Sequence, residues 1–272
     1  MPEGDTIHKH AADFRAVFVG RRVEAVRRGG VVEPLLSGAE LVSAEATGKN
    51  LSLRFVGTGG AGAAVIVRVH LGIAGKWRKG SKSSFKPMSR AASPLELDFG
   101  ERVAFVYRPS EVRIEREVFT KPLTHLGPDL LGEEPDWADI LRRARDPLHA
   151  QRPLGELLLD QRVSAGIGNV YKSELCFLEK HHPFLRVDEI VDDQLLAIFK
   201  LARRLLLANL GDWRRTTTAD RSRGELPTRG KGRLWVYGRK GRACYVCGAI
   251  VQRKAMGPDL RSAFWCPKCQ VP

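Results

Sequence analysis

The chain has 272 residues, 43% hydrophobic and 28% charged, enough for one large or two modest domains with their own cores and too apolar for a disordered polymer. Its net charge is +14, and residues 211–272 hold 14 Lys+Arg against 4 Asp+Glu; charge gathered in this way is the footprint of a polyanion binder, with a solvated basic tail or an anionic membrane surface as alternatives. No cationic and apolar leader opens the sequence and no apolar run reaches a membrane span, so an intracellular protein is expected, whose five Cys serve as metal ligands or thiols rather than disulfides.

The first residues are Met1-Pro2-Glu3-Gly4-Asp5. Loss of Met1 would leave a terminal secondary amine beside a carboxylate, a pair able to attack an electrophilic carbon and move the protons involved. Taken alone, the stretch also reads as an ordinary chain start. Asp5 is placed to N-cap a helix with Ile7, Ala11, Phe14 and Phe18 at roughly helical spacing, closed by Gly20. Short β-rich runs follow at Arg22–Arg28, Leu51–Val56, Ala64–His70, Leu95–Phe99, Arg102–Tyr107 and Val112–Glu115. Gly- and Ser-rich turns such as Gly57–Gly62 and Gly80–Ser84 separate them, which predicts an antiparallel sandwich or barrel.

Two of the turns carry candidate contacts. Thr47-Gly48-Lys49-Asn50 sets a Lys after a Gly, too short for a phosphate-binding loop of the GxxxxGK[ST] type, and a lone Lys is otherwise a solvated one. His70-Leu71-Gly72-Ile73-Ala74-Gly75 ends a strand in a Gly-rich loop. It reads as a plain turn or, beside DNA, as a carrier of an apolar wedge at Ile73.

The acidic, Pro-containing stretch Gly132–Asp136 reads as a linker, and the pattern then turns helical. Helices are expected over Trp137–Ala144, Pro153–Gln161, Val170–Leu178 and Asp188–Leu210. Between the middle two, Gln161-Arg-Val-Ser-Ala-Gly-Ile-Gly-Asn-Val-Tyr171 makes a tight Gly-rich turn with Asn169 at the start of a helix. The free N–H groups of that helix start suit a phosphate, with Asn169 adding a donor; an ordinary turn with Asn169 as N-cap is the alternative. Cys176 stands apart on an apolar helix as a core thiol. Residues Gly211–Gly232 are polar, basic and irregular.

The last forty residues hold Cys244-x2-Cys247 and Cys266-x2-Cys269, eighteen residues apart. Two such knuckles suit four thiolates around one tetrahedral zinc, structural because no coordination position stays open, with redox dithiols as the alternative. Gly241, Gly248 and the alternation near Leu234–Tyr237 predict a β-hairpin around the metal, presenting Arg253, Lys254 and Arg261. The fold class is therefore α+β, multidomain. It is expected to comprise an N-terminal β-sandwich or barrel with a helix over 1–131, a linker and helix over 132–150, a helical domain over 151–232 and a zinc finger over 233–272.

Together these segments resemble the formamidopyrimidine-DNA glycosylase / endonuclease VIII family over nearly the whole chain. The motifs that carry it are Pro2-Glu3-Gly4, Gly48-Lys49-Asn50, His70-Leu71-Gly72, Leu126-Gly-Pro-Asp-Leu-Leu131, the helix–two-turn–helix segment at Gly166–Asn169, Val236-Tyr-Gly-Arg-Lys-Gly241 and Arg261-Ser-Ala-Phe-Trp-Cys266-Pro-Lys-Cys-Gln270. The resemblance implies a bifunctional glycosylase and apurinic/apyrimidinic lyase of base excision repair. Pro2 would be the nucleophile and Glu3 the proton-transfer group. Lys49, Asn169 and Arg261 would clamp the flanking phosphates, with Arg261 also aiding the second elimination. His70 would touch backbone, Ile73 would fill the void left by the flipped nucleotide, and one structural zinc would sit on Cys244, Cys247, Cys266 and Cys269. It further implies a monomer without organic cofactor or membrane attachment, cytoplasmic and nucleoid-associated, whose partner is damaged DNA.

The purine-repair branch carries an Asp-Pro-Arg-Arg-Phe-Gly-like segment that is lacking at Tyr107-Arg-Pro-Ser-Glu-Val112. Oxidised pyrimidines such as thymine glycol or dihydrouracil are therefore expected over 8-oxoguanine, a purine-directed or broad enzyme being the alternative. Gly72 and Ala74 replace bulkier void-fillers of some relatives. A non-catalytic zinc-dependent DNA-binding protein would account for charge and Cys but not for Pro2-Glu3. An RNA-processing zinc protein would prefer RNA to lesion-bearing DNA.

Overall fold

Helix α1 (Gly4–Val17) forms because its apolar residues recur on one face, with acidic Asp5 in its first turn and Arg15 in its last. It starts two residues earlier than the sequence predicts, so Asp5 lies inside the first turn instead of capping it, and its carboxylate is used elsewhere. Phe14 and Phe18 pack ring to ring at 5.3 Å and meet Trp77 and Phe99 at 5.0 and 4.7 Å. Gly20 closes the helix at φ +83°, a conformation that favours glycine.

The computed structural model describes residues 1–57, 64–86, 93–211, 214–219 and 232–271. Most of the expected Gly57–Gly62 turn and of the irregular Gly211–Gly232 segment lies outside them. The chain divides into two compact units, one of Met1–Pro2 and Thr6–Leu123, the other of Glu3–Asp5 and Thr124–Pro272. No helix among the described residues is long and apolar enough to cross a membrane.

The first unit is a β-sandwich closed by α1. Its strands are β1 (Ala25–Arg28), β2 (Val31–Val32), β3 (Glu40–Thr47), β4 (Asn50–Val56), β5 (Val65–His70), β6 (Lys76–Ser81), β7 (Leu95–Asp98), β8 (Arg102–Tyr107) and β9 (Glu111–Arg116). One sheet runs β3-β4-β5-β9 and the other β2-β1-β7-β8-β6, with antiparallel neighbours. Strands β4 and β5 alternate in burial, so Leu51, Leu53, Phe55, Val65, Val67 and Val69 share one core with Ile7, Ala11 and Phe14 of the helix. Strands β3 and β6 escape sequence reading. β3 is rich in Glu, Ala and Ser, and β6 buries only Trp77 of Lys-Trp-Arg-Lys-Gly-Ser, so neighbouring strands and not local preference hold them extended.

The second unit is helical, with a Cys-bearing end. Helix α2 (Trp137–Ala144) is capped by Asp136, whose side chain accepts from the Asp139 N–H at 2.9 Å. Helix α3 (Leu154–Leu157) is much shorter than the expected Pro153–Gln161. Asp160 turns the chain there: its carboxylate accepts from the Arg162 N–H at 3.0 Å and its carbonyl from the Val163 N–H. Helix α4 spans Asn169–Leu178 and α5 spans Asp192–Ala208, the latter starting four residues later than predicted because Val187–Glu189 forms a separate 3-10 turn. Leu157, Ile167, Tyr171, Leu175, Ile198 and Leu206 are among the fully buried members of its core.

The terminal hairpin is not where the alternation placed it. Its strands are β10 (Gln252–Met256) and β11 (Arg261–Trp265), paired from Gln252–Trp265 to Met256–Arg261. Leu234–Tyr237 is irregular because its backbone is claimed by a side chain: the N–H groups of Trp235, Val236 and Tyr237 donate to the Glu174 carboxylate at 2.7–2.9 Å. Thr217 donates to the same group. Burial pushes the Glu174 carboxyl up, against the opposing pull of these donors.

Candidate active site

The site is built on the N-terminus of α4. Gly168, the N-cap, donates its N–H to Glu3 Oε2 at 3.1 Å, Val170 donates to Oε1 at 2.7 Å and Tyr171 to Oε2 at 3.3 Å. Glu3 is fully buried. A carboxylate thus takes the N–H groups and the positive dipole end that the sequence reading offered to a phosphate. The Gly-rich turn exists for this approach. A Cβ on Gly168 would stand 2.4 Å from Glu3 Cγ and Cδ, and one on Gly4 would stand 2.9 Å from Gly166 Cα. Gly4 donates to the Gly166 carbonyl at 2.9 Å, and Gly166 sits at φ +117°. Gln161 braces the turn from inside, its amide nitrogen donating to the Leu159 and Ile167 carbonyls and its oxygen accepting from Gly166 N–H.

Asn169 is the first residue of the helix and not its cap. It is buried, and its Oδ1 finds no hydrogen-bond partner among the described residues. One turn on, Lys172 is fully buried and donates to the Ser262 carbonyl at 3.0 Å, beside Arg261 on β11. Burial pulls its ammonium down to about 8, and the Arg261 charge adds to this, against the pull of Cys176 and Glu3. Arg261 is about one-third exposed at the turn end of the hairpin, with Asp259 3.7 Å from its Nε. Glu3, Asn169 and Lys172 therefore cluster at one helix start, and Lys172 joins that start to the strand bearing Arg261.

Two further residues that sequence reading passed over meet Glu3 and Asp5. Arg215 holds the Asp5 carboxylate with two nitrogens, Nε to Oδ2 at 3.0 Å and Nη2 to Oδ1 at 2.5 Å, while its Nη1 stands 3.8 Å from Glu3 Oε1. Tyr171 donates its hydroxyl to Asp5 Oδ2 at 3.2 Å and lies under the guanidinium, 4.8 Å from ring centre to Cζ. Burial, then the neighbouring Asp5 charge, push the Tyr171 phenol well above its usual range. No spacing in the sequence links residues 3–5 with 215. An Arg followed by Thr216 and Thr217 near a polar, irregular stretch carries no local signal.

The first unit holds the other predicted residues. Pro2 is half-buried and directly precedes Glu3. Lys49 occupies the β3–β4 turn, where Gly48 adopts φ +56°. His70 ends β5 between Asn50 and Glu111. Its Nδ1 is 2.6 Å from Ser110 Oγ, and burial lowers its pKa, with the Lys49 charge adding to this. Lys49 and His70 are thus brought together. Ile73 is 60% exposed on the Leu71–Gly75 turn. Gly72 there has φ +63° and a Cβ would meet Ser110 Cβ at 2.8 Å, so backbone geometry alone accounts for the small residue. The β8–β9 connection is only Arg108–Ser110, with Arg108 at φ +44°.

The four paired Cys gather as the spacing predicts, all Sγ atoms within 4.8 Å of one another. Cys244 and Cys269 are 3.9 Å apart and Cys247 and Cys266 3.3 Å. Thiolates at about 2.3 Å from a tetrahedral zinc lie about 3.8 Å from each other, so the donor set fits that ion. Around it Phe177, Val236, Val251 and Phe264 form a small core. Cys176 is buried with the helical core, which pushes its thiol up to about 12, as suits an inert core residue.

A family model described as the formamidopyrimidine-DNA glycosylase H2TH domain matches residues 126–219. Over 277 residues the chain is 38% identical to DNA-(apurinic or apyrimidinic site) lyase Nei2 of Mycolicibacterium smegmatis, covering 100% of this chain and 99% of that protein. It is likewise 38% identical to Endonuclease 8 2 of Mycobacterium tuberculosis, covering 99% and 100%. Among solved structures, MutM (Fpg) protein from Thermus thermophilus superposes with a TM-score of 0.75 at 25% identity, covering 99% of this chain and 98% of that one.

Proposed function

The chain belongs to the formamidopyrimidine-DNA glycosylase / endonuclease 8 family, and from that premise we propose that it is a bifunctional DNA glycosylase and AP lyase of base excision repair, with oxidised pyrimidines as its preferred lesions. The observation that carries the reading is Glu3: a fully buried carboxylate, held by three backbone N–H groups, one residue after Pro2. With Met1 removed, the Pro2 amine attacks C1′ of a nucleotide taken out of the stack, the bond from C1′ to the base breaks, and the base leaves with a proton. Glu3 exchanges protons as the sugar opens to an iminium on Pro2. That iminium is necessarily cationic and acts as the electron sink for two successive eliminations, which leave a one-nucleotide gap with phosphates at both ends.

Lys49, Asn169 and Arg261 serve as the phosphate clamp, His70 touches backbone, and Ile73 fills the void. The exposure of Ile73 supports its role. Zinc on the four Cys is structural, holding the hairpin that presents Arg261. The pyrimidine preference is supported by the short Arg108–Ser110 turn, which carries no inserted loop to face an opposite base.

Borohydride reduction of a mixture with abasic DNA tests the chemistry. A covalent adduct mapped to Pro2 by mass spectrometry is expected, and failure of the wild-type protein to form one sinks the proposal. So would catalytically competent molecules that fully retain Met1. Incision of duplexes differing only in lesion and opposite base tests the preference: faster excision of 8-oxoguanine than of thymine glycol or dihydrouracil would assign the purine-directed alternative.

A further inference from the structure

The geometry points to Arg215 as a positioning residue for Glu3, tethered by Asp5 so that its charge acts on the proton-transfer carboxylate without capturing it. This rests on the role proposed for Glu3. Glu3 and Asp5 are both fully buried, two residues apart, and the Arg215 guanidinium serves both. Two buried carboxylates with one shared cation are costly unless that cation is held where both feel it. Here it is held unequally. Asp5 takes two nitrogens at hydrogen-bonding distance, whereas the approach to Glu3 Oε1 is 3.8 Å, beyond a hydrogen bond.

The stand-off is imposed on the Arg from three sides. Tyr171 lies against the guanidinium and donates to Asp5 Oδ2, the oxygen that Arg215 Nε also reaches. Asn209, itself buried, clamps the next residue, donating to the Thr216 carbonyl at 2.8 Å and accepting from its N–H at 2.8 Å. Thr217 is tied to Glu174. A fork closed directly on Glu3 would compete with the Gly168, Val170 and Tyr171 N–H groups for the same two oxygens and pull the carboxylate away from them. Asp5 prevents this by occupying the fork. The tether and the guanidinium therefore form one device, and loss of either should impair Glu3.

The experiment is single-turnover kinetics with the zinc-loaded full chain on a lesion-bearing duplex, alongside affinity for a duplex with an uncleavable abasic analogue. Arg215→Met should slow base excision by roughly tenfold or more, part of the ~10²–10⁴-fold that a general acid–base group contributes, while the Kd for the analogue stays within about twofold. Arg215→Lys, which keeps the charge, should recover part of the rate. On a Glu3→Gln background Arg215→Met should cost nothing further, because residues acting as one unit are not additive. Wild-type excision by Arg215→Met, or an equal loss with and without Glu3→Gln, overturns the proposal. If Arg215→Met does not fold, Asp5→Asn decides: a slower excision step at unchanged Kd supports the device and a wild-type rate overturns it. Borohydride trapping of the wild-type protein on abasic DNA keeps the two levels apart, since its failure removes the role of Pro2 and Glu3 whatever Arg215 does.

Discussion

Gly168 shows how closely a single residue can be tied to a buried carboxylate. With Glu3 Cγ and Cδ 2.4 Å from where its Cβ would be, Gly168→Ala must push the carboxylate off the helix start or shift the turn. Overpacking of this kind costs about 1–3 kcal/mol, so a lower midpoint in urea unfolding is expected, together with loss of excision beyond what the unfolded fraction explains. Glu3→Gln keeps the shape but not the charge. It should retain lesion binding in a gel-shift titration while excision slows by about 10²–10⁴-fold. Lys172 makes a pH prediction. Its pKa falls from 10.5 unfolded to about 8 folded, so the unfolded chain binds the extra proton in that window and stability rises with pH. The contribution is fully present above pH 10.5 and lost as pH falls through about 8. Lys172→Met should therefore be more stable relative to wild type at pH 7 than at pH 10.5, by up to about 3 kcal/mol. Urea melts at the two pH values check it, and a pH-independent difference contradicts an amine whose pKa burial lowers.

At the scale of elements, the terminal hairpin depends on what lies at each end. Cys266 directly follows β11, and Arg261 begins that strand. The core of this module is six buried residues, two of them cysteines of the four that gather, too few to hold a hairpin by packing alone. Cys266→Ser should release zinc, measured with a chromogenic chelator, and abolish incision together with hydrogen-exchange protection over 252–265. Full activity in zinc-free protein would contradict this dependence. The same elements show where pattern reading stopped. The spacing of the Cys pairs was enough to gather the four thiols, but the strand expected at Leu234–Tyr237 is absent because Glu174, 61 to 63 residues upstream, takes its N–H groups. Likewise β6 has one buried residue in six, and only pairing with β8 makes it a strand.

The whole molecule carries +14, with most of the excess in its last quarter. If Lys49 and Arg261 each neutralise a phosphate, log Kobs for an abasic-analogue duplex should fall against log salt with a slope of at least about −2. Fluorescence anisotropy from low to moderate salt measures it, and a flat response would remove both contacts. The two units each have their own apolar cluster, the sandwich core around Leu53 and Val67 and the helical core around Tyr171 and Leu175.

From the residues alone came an antiparallel β unit with its leading helix, the helical second half and the four Cys that gather at one point. Each rests on a period or spacing local enough to survive in one dimension: alternation in β4 and β5, the helical repeat in α1, the CxxC pairs. What only the tertiary structure decided is how Glu3 is held. The helix start read as a phosphate site is closed by a carboxylate 165 residues earlier in the chain, and Asp5, read as a cap, is bound by an Arg 210 residues away. Charge pairing and hydrogen bonding in a buried site act on distance in space, and at those separations nothing in the order of residues records which groups will meet.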